Sequence, residues 1–206
     1  MIHIGNGIPG AQRAAETNAI AVVVDALRAS ASLCAMVLAG AKEVLVCPSA
    51  DVAKDLAGEY PDAVLAGEWK SQIPEGFDFD NSPLLLSQAE LAGKTVIFTS
   101  TNGARMLCAA RGAKEVYVGS VVNAAPLVHA LQGHITKGSN IVIIAAGDQD
   151  EECDEDTATA ALLAESTGPN IDPAQEVFVP AWCARIADEG LEALFLSANH
   201  GVELVQ

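Results

Sequence analysis

The amino-acid sequence predicts an α/β protein with a parallel or largely parallel sheet that is covered by helices on both faces. Short runs of β-branched residues alternate with stretches rich in alanine and leucine, which is typical of buried strands joined by helices. The same order of segments also occurs twice along the chain. This repetition indicates an internal duplication, in which each copy consists of strand, helix, strand, helix and strand.

The repeat is clearest in the sequence GAKEV, which starts at Gly40 and again at Gly112. The segments around it correspond as well: AVVVDALRAS with VIFTSTNGA on the upstream side, and AVLAGEW with IIAAGDQ on the downstream side. We therefore predict two similar subdomains. Residues 1–92 form a first βαβαβ unit, and residues 93–206 form a second βαβαβ unit followed by a C-terminal helix.

The predicted strands are the apolar runs at residues 21–24, 44–46, 64–66, 96–98, 116–118 and 141–145. Helices are predicted after capping residues, which are Ser30, Asp51, Asn123 and either Thr101 or Asn102. A further helix is predicted at Ser82, because Pro83 follows at the first helical position. The acidic stretch 148–156 leads into another helix, and a final helix is predicted over about residues 181–197.

The charge balance excludes some classes of partner. Eleven basic residues against 27 acidic residues give a net charge of −16, and no basic stripe suited to nucleic acid occurs. No apolar run approaches the roughly 18 residues of a membrane span, so we expect a soluble, cytoplasmic protein without a membrane partner. A homo-oligomer is left open. An anionic ligand would need a local cation to overcome the acidic background.

Polar residues follow the predicted strands of the first copy at the point where ligands bind in open α/β sheets. Asp25, Arg28 and Ser30 follow its first strand, and Glu68 and Lys70 follow its third. Mg²⁺ is commonly bound through one or two carboxylates and bridges to phosphate oxygens, while arginine offers a forked cationic donor. The first copy therefore predicts a site for a phosphorylated anion and a hard cation.

The second copy contributes Thr101, Asn102 and Gly103, then Asn123, then Asp148. Helix starts at Ser30 and Gly103 would direct free backbone N–H groups towards an anion. Structural roles remain open for these residues, because helix caps and turns use the same residue types.

Two short motifs are not assigned a function. DFDNS, from Asp78, is similar to a phosphatase motif that must end a buried strand, but it follows a predicted loop. GNGIPG, at residues 5–10, lacks the preceding strand that a dinucleotide-binding loop requires, and we predict a turn there.

Taken together, these residues resemble the 2-phosphosulfolactate phosphatase (ComB-like) family. The segments that carry the resemblance, in the family's order, are VVVDALRASAS, LAGEW, IPEGFDFDNSP, FTSTNGA, GSVVNA and AAGDQDEECDEDTATAALL. The resemblance implies a magnesium-dependent phosphatase that converts 2-phosphosulfolactate to sulfolactate in coenzyme M synthesis. It also implies a three-layer α/β/α fold with two similar subdomains.

The resemblance also assigns residues to family motifs. The matching positions are Asp25, Arg28, Glu68, Asn81, Ser82, Thr101, Asn102, Gly103, Glu155 and Asp156. Two positions depart from the family pattern. Trp69, followed by Lys70, stands where an arginine usually follows the glutamate, and Asp80 stands where glycine is expected before Asn81.

The expected mechanism places Mg²⁺ on Asp25 or Glu68 with help from Asp148, Glu155 or Asp156. Arg28 and the backbone of residues 101–103 neutralise the phosphoryl charge, and either water or an aspartate at position 25 attacks phosphorus. Lys70, Asn81, Ser82 and Asn123 are further candidates for substrate binding. Two alternatives remain: a non-catalytic binding protein for phosphorylated or sulfonated acids, and a metal-independent enzyme.

Overall fold

The computed structural model describes residues 1–149 and 151–190. In this part of the chain seven strands form two sheets, and eight α-helices and three short 3₁₀ turns surround them. The strands are β1 Ile2–Asn6, β2 Ile20–Val24, β3 Glu43–Cys47, β4 Val64–Gly67, β5 Thr95–Thr99, β6 Glu115–Gly119 and β7 Ile141–Ala145. The helices are α1 Gly7–Glu16, α2 Ala29–Leu38, α3 Ala50–Ala57, α4 Pro83–Gln88, α5 Gly103–Ala109, α6 Ala124–Thr136, α7 Asp154–Thr167 and α8 Phe178–Glu189.

Both sheets are parallel throughout their described pairings. The four-stranded sheet has the order β1-β7-β2-β6, and the three-stranded sheet has the order β3-β5-β4. Val24 lies opposite Gly119 in β6 and Ala145 in β7, so these strands end at the same level. The carboxyl ends of neighbouring strands therefore form a common edge, where the loops that carry the candidate site residues begin.

Helices cover both faces of each sheet. In the four-stranded sheet, Leu131 of α6 packs in the cluster that contains Ile143, and α1 and α5 bury Ala14 and Met106 in the cluster around Ile144. In the three-stranded sheet, α2 and α4 pack in the cluster around Phe98, and α3 packs on the opposite face. The predicted α/β class with parallel sheets is confirmed, and the two sheets fit a three-layer α/β/α arrangement.

The strand order shows how the two copies of the repeat are combined. In the duplication β2 corresponds to β5, β3 to β6 and β4 to β7, and the orders β6-β2-β7 and β3-β5-β4 are then equivalent. The central strand of each sheet comes from the other copy. The division into units 1–92 and 93–206 stays a prediction, but the sheets do not follow that boundary, since each takes strands from both halves.

The prediction of a turn at GNGIPG was wrong, because β1 and α1 occupy this part of the chain. Gly5 and Gly10 allow the helix to fold back closely on its strand: a Cβ on Gly5 would lie 2.8 Å from the Cα of Gly10. The strand was missed because it is short and lies at a sheet edge. Its pairing with β7, and the backbone contacts of Ile2 with Asn170 and Asp172, depend on residues distant in sequence.

Several predicted helix starts shift by a residue or two. Helix α2 begins at Ala29 with Arg28 as its N-cap, so Ser30 lies inside the helix, and Ser49 rather than Asp51 caps α3. Ser82, Asn102 and Asn123 are N-caps as predicted. Helix α8 ends at Glu189, and the rest of the predicted final helix, residues 191–197, lies outside the described residues. None of the described helices is long and apolar enough to cross a membrane.

Candidate active site

A cleft of about 580 Å³ opens at the carboxyl ends of the strands, where the loops after β2, β4, β5 and β7 meet. Ten of the residues that the sequence predicts for the site line it: Asp25, Arg28, Glu68, Lys70, Asn81, Thr101, Asn102, Asp148, Glu155 and Asp156. The seam between the two sheets therefore brings together most of the predicted site, and it draws residues from both copies of the repeat.

Asp25 is the first residue after β2, and its carboxylate joins the two central loops. One oxygen accepts the N–H of Ala29 in its own loop at 3.2 Å, and the other accepts the N–H of Gly103 from the opposite loop at 2.7 Å. Burial raises the pKa of Asp25 to about 6, because the charged form loses hydration, and the negative charges of Glu68 and Glu155 act in the same direction.

Asp156 lies in the first turn of α7 and is almost fully buried. Its two oxygens accept the N–H groups of Ala26 at 2.6 Å and Gly147 at 2.9 Å. Burial raises the pKa of Asp156 well above its ordinary value, and the nearby charge of Asp25 raises it further. The two carboxyls form a buried acidic pair whose doubly charged form calls for a compensating cation.

Glu68 follows β4 and organises the opposite wall of the cleft. One of its oxygens accepts the N–H of Thr101 at 2.6 Å, and the other accepts the Thr101 hydroxyl and the N–H of Ser71, both at 2.8 Å. The N–H of Lys70 also donates to the Thr101 hydroxyl oxygen, at 2.6 Å. Glu68 thereby holds the tight turn that presents Lys70, whose φ of 54° is left-handed, at the cleft.

Arg28 places a guanidinium group in the cleft wall. Its side chain is only 7% exposed, and Nη2 lies 3.6 Å from the carboxylate of Asp80. Arg28 and Lys70 are the two cationic residues among the described residues of the lining, against seven acidic ones. An anion entering this cleft would therefore be held against a strongly negative background, as the charge of the chain predicts.

Asn81 contributes a buried amide to the same wall. It is 3% exposed, and its Oδ1 has no hydrogen-bond partner among the described residues, although it lines the cleft. A buried acceptor without a partner costs free energy, so this oxygen is suited to receive a hydrogen bond from a ligand.

Asn102 and Asp148 connect the two turns at the rim. The Asn102 amide donates to Asp148 at 3.2 Å, and its oxygen accepts the N–H of Gln149 at 3.1 Å. Asp148 is exposed, whereas Asp25 and Asp156 are buried, so a cation bound by Asp148 would lie closer to solvent than one bound by the buried pair.

Four predicted residues do not line the cleft. Ser30 accepts the N–H of Asp25, Gly103 donates its N–H to Asp25, and Ser82 caps α4. The Asn123 side chain bonds only locally in the described structure: it accepts the N–H of Ser120 and donates to the carbonyl of Val118, within the capping box of the 3₁₀ turn before α6. In contrast, the cleft also takes in Ser71, Glu152 and Asp154, which the sequence does not distinguish from solvated loop residues. The acidic helix start before α7 was the available signal for the last two.

The donor set is suited to magnesium. No group of three or more His, Cys, Asp or Glu side chains is preassembled around a common point in the described residues. Mg²⁺ does not require one, because it keeps several waters and takes one or two carboxylates together with phosphate oxygens. The buried pair of Asp25 and Asp156 supplies hard oxygen ligands whose raised pKa values a cation would lower.

The fold and the site define an α/β protein with an acidic cleft at the carboxyl ends of parallel strands, in which a buried guanidinium and a pair of buried carboxylates face one space. Comparison with known proteins identifies the family to which the chain belongs. Residues 7–206 match the family described as 2-phosphosulpholactate phosphatase, and the chain belongs to that family.

Proteins described as probable 2-phosphosulfolactate phosphatases are similar to this chain in sequence. The protein from Symbiobacterium thermophilum is 34% identical over 192 residues, which cover 91% of this chain and 81% of that protein. The protein from Thermus thermophilus is 35% identical over 87% of this chain and 75% of its own length. The protein from Caldanaerobacter subterraneus is 37% identical over 70% of this chain and 59% of its own length.

Proposed function

We propose that this protein is a magnesium-dependent phosphatase that hydrolyses the phosphate monoester of a small 2-phospho acid, with 2-phosphosulfolactate as the first candidate. The observation that carries the proposal is the meeting of Arg28 with the buried carboxyls of Asp25 and Asp156 in one cleft. Family membership supports the chemistry. Coenzyme M synthesis, which the resemblance implies, and a cytoplasmic location are part of the same proposal.

Arg28 and Lys70 bind the phosphate and the other acidic groups of the substrate. Arg28 is buried and always charged, so its guanidinium acts on a phosphoryl oxygen with little screening by water. Lys70 stands on the opposite wall, where the bonds of Glu68 to Thr101 and Ser71 hold its turn. Glu68 is therefore a positioning residue for this cation.

Asp25 and Asp156 would hold the magnesium ion. When bound there, Mg²⁺ neutralises phosphoryl charge and polarises the group for attack. Both oxygens of each carboxylate already accept backbone N–H bonds, so the two side chains keep their orientation with or without a ligand.

Water, rather than Asp25, is the proposed nucleophile. The two backbone N–H groups that Asp25 accepts lower the nucleophilicity of its oxygens. Glu155 lines the cleft close enough to Asp25 to affect its pKa, and it is a carboxylate that can take the proton of the attacking water. The bond from phosphorus to the ester oxygen breaks, and the leaving oxygen takes a proton from solvent water, so that the products are the alcohol and phosphate.

The test is phosphate release from 2-phosphosulfolactate, 2-phospholactate and phosphoglycolate, each with Mg²⁺ and with EDTA. We expect turnover only with Mg²⁺. Arg28→Ala should lower kcat/KM by about 10²–10³, by analogy with loss of a donor that stabilises transition-state charge. Arg111→Ala is the matched control, because this exposed arginine does not line the cleft.

Thermal unfolding of both variants separates loss of activity from loss of fold. Undiminished turnover in a folded Arg28→Ala protein contradicts the assignment of the site. Full activity in EDTA indicates a metal-independent enzyme. Calorimetric binding of these esters with no phosphate released in Mg²⁺ indicates a binding protein instead.

A further inference from the structure

We propose that Asp80 is a specificity-determining residue, which weakens the hold of Arg28 on anions and so lowers the affinity of the cleft for a phosphate monoester by more when the ester carries more additional acidic groups. This inference rests on the proposed function, because it concerns the substrate that the same cleft accepts. Asp80 does not itself line the cleft, and it acts through Arg28.

The geometry of the contact favours an effect of charge over an effect of orientation. Arg28 Nη2 and Asp80 Oδ2 are 3.6 Å apart, which is an ion pair but too long for a good hydrogen bond. A single loose contact of this kind does not fix the plane of a guanidinium as a two-bond fork does. The negative charge nevertheless stays close to a cation that is 7% exposed, although the Asp80 side chain is itself 36% exposed and its charge is partly screened by water.

Asp80 is held in this place by its own backbone. Its other oxygen, Oδ1, accepts the N–H of Asn81, the next residue, whose side chain lines the cleft. The carboxylate therefore remains beside Arg28 when a ligand arrives, and its repulsion of the ligand is a constant feature of the site.

The repulsion discriminates between ligands by their charge. Coulomb energy is proportional to the charge of the ligand, so each carboxylate or sulfonate added to a phosphate ester increases the penalty that Asp80 imposes. The described residues of the lining include seven acidic side chains against two cations, so the protein itself supplies little positive charge to offset a further carboxylate. The penalty that Asp80 imposes is thus larger for an ester with two extra acidic groups than for an ester with one.

The experiment compares Asp80→Asn with Glu75→Gln in the 206-residue protein with Mg²⁺ at low ionic strength. Asparagine keeps an oxygen for the Asn81 N–H, so this variant removes the charge and little else. Glu75 is an exposed acid in the same loop that does not line the cleft, so its variant controls for net charge. Two phosphate esters are compared: 2-phospholactate, which carries one carboxylate, and 2-phosphosulfolactate, which carries a carboxylate and a sulfonate. The readouts are KM and kcat with each ester and the inhibition constant of inorganic phosphate.

We expect Asp80→Asn to lower KM by about tenfold with 2-phosphosulfolactate and by about fivefold with 2-phospholactate, since the removed repulsion is proportional to the charge of the ligand. The inhibition constant of phosphate should fall as well, and kcat should change by less than about twofold. Added NaCl should reduce the differences between the variant and the wild type, because salt screens the repulsion between Asp80 and the ligand. Asp80→Glu should keep the wild-type selectivity, and Glu75→Gln should leave every constant unchanged.

A raised KM in Asp80→Asn would show that Asp80 orients Arg28. An equal change in KM for both esters would show that Asp80 does not select ligands by charge. Either result overturns the inference. If thermal denaturation shows that Asp80→Asn does not fold, Asp80→Ser replaces it in the same comparison. If the wild type hydrolyses the esters but Asp80→Asn leaves the ratio of the two KM values unchanged, this inference alone is rejected. A wild type that neither hydrolyses these esters nor binds phosphate rejects the proposed function and this inference with it.

Discussion

The loop after β2 and the loop after β5 occupy equivalent places in the two sheets. Asp25 and Ser100 directly follow the central strands, and each side chain accepts the N–H of the residue four positions later, at 3.2 Å and 2.8 Å respectively. The helices that follow are capped by Arg28 in one loop and by Asn102 in the other. The same backbone design therefore carries charged residues in one copy and neutral residues in the other.

This difference shows how a duplicated scaffold can give a single site. The β2 loop supplies a carboxylate and a guanidinium, and the β5 loop supplies neutral donors, such as the Gly103 N–H that binds Asp25. The turns after β4 and β7 both carry an acidic residue and differ in its burial: Glu68 is buried with three hydrogen bonds, and Asp148 is exposed. Because the central strands are exchanged between copies, the charged and neutral loops face each other across one cleft.

The strongest test of this comparison is to separate the copies. Residues 1–92 and 93–206, produced alone, should each fail to fold, because each would lack the central strand that pairs with two others in its main sheet. Mixed together, they should recover structure and phosphatase activity. Circular dichroism and urea titration measure the outcome, and cooperative unfolding of either half by itself would show that the exchange of strands is not required.

A smaller effect is expected from making the charged loop resemble the neutral one. Asp25→Ser removes a carboxyl whose pKa is raised from 3.8 to about 6, so the folded protein binds this proton more tightly than the unfolded chain does. The stability that this proton provides is fully present below about pH 4 and is lost as pH rises through about 6, with a size of about 3 kcal/mol. Without divalent cations, the variant should therefore gain about 3 kcal/mol relative to wild type between pH 4 and pH 7.

Urea unfolding at pH 4, 5.5 and 7 in EDTA measures this difference. Ser100→Ala is the matched variant in the other loop, and its free energy of unfolding relative to wild type should not vary with pH. A constant difference between Asp25→Ser and wild type over this range would mean that Asp25 is not perturbed in the folded protein.

The smallest effect concerns the close approach of the two loops. A Cβ at Gly103 would lie 2.6 Å from Asp25 Oδ2 and 2.7 Å from the Cβ of Ala29, so Gly103→Ala forces the loops apart. We expect it to destabilise the protein by about 1–3 kcal/mol, as overpacking does. Ala29→Gly, at the equivalent helix start, adds no atoms and should cost less than about 1 kcal/mol. Equal destabilisation by the two substitutions, measured by urea unfolding, would show that the contact at Gly103 is not tight.

The sequence predicts much of the fold because each strand from β2 to β7 contains an apolar run, and β2, β5 and β7 are buried on both faces. It fails at β1 and α1, where IHIGN carries only two apolar side chains and the pairing with β7 comes from the far end of the chain. In the site, Asp25, Arg28 and Glu68 are predicted because they follow such strands. Asn123 also follows a strand, but its side-chain hydrogen bonds are local. Position after a strand therefore does not by itself distinguish a residue that lines the cleft from one with a local structural role.

By itself, the sequence determined the alternation of strands and helices, the repeat and the residue types gathered at strand ends, because these depend on local burial and spacing. Only the tertiary structure decided that the copies exchange their central strands, that Asp25 and Asp156 are buried as a pair, and that Asp80 lies beside Arg28. These features depend on contacts between residues far apart in the chain, whose free energies of pairing and desolvation exist only after the sheets have formed.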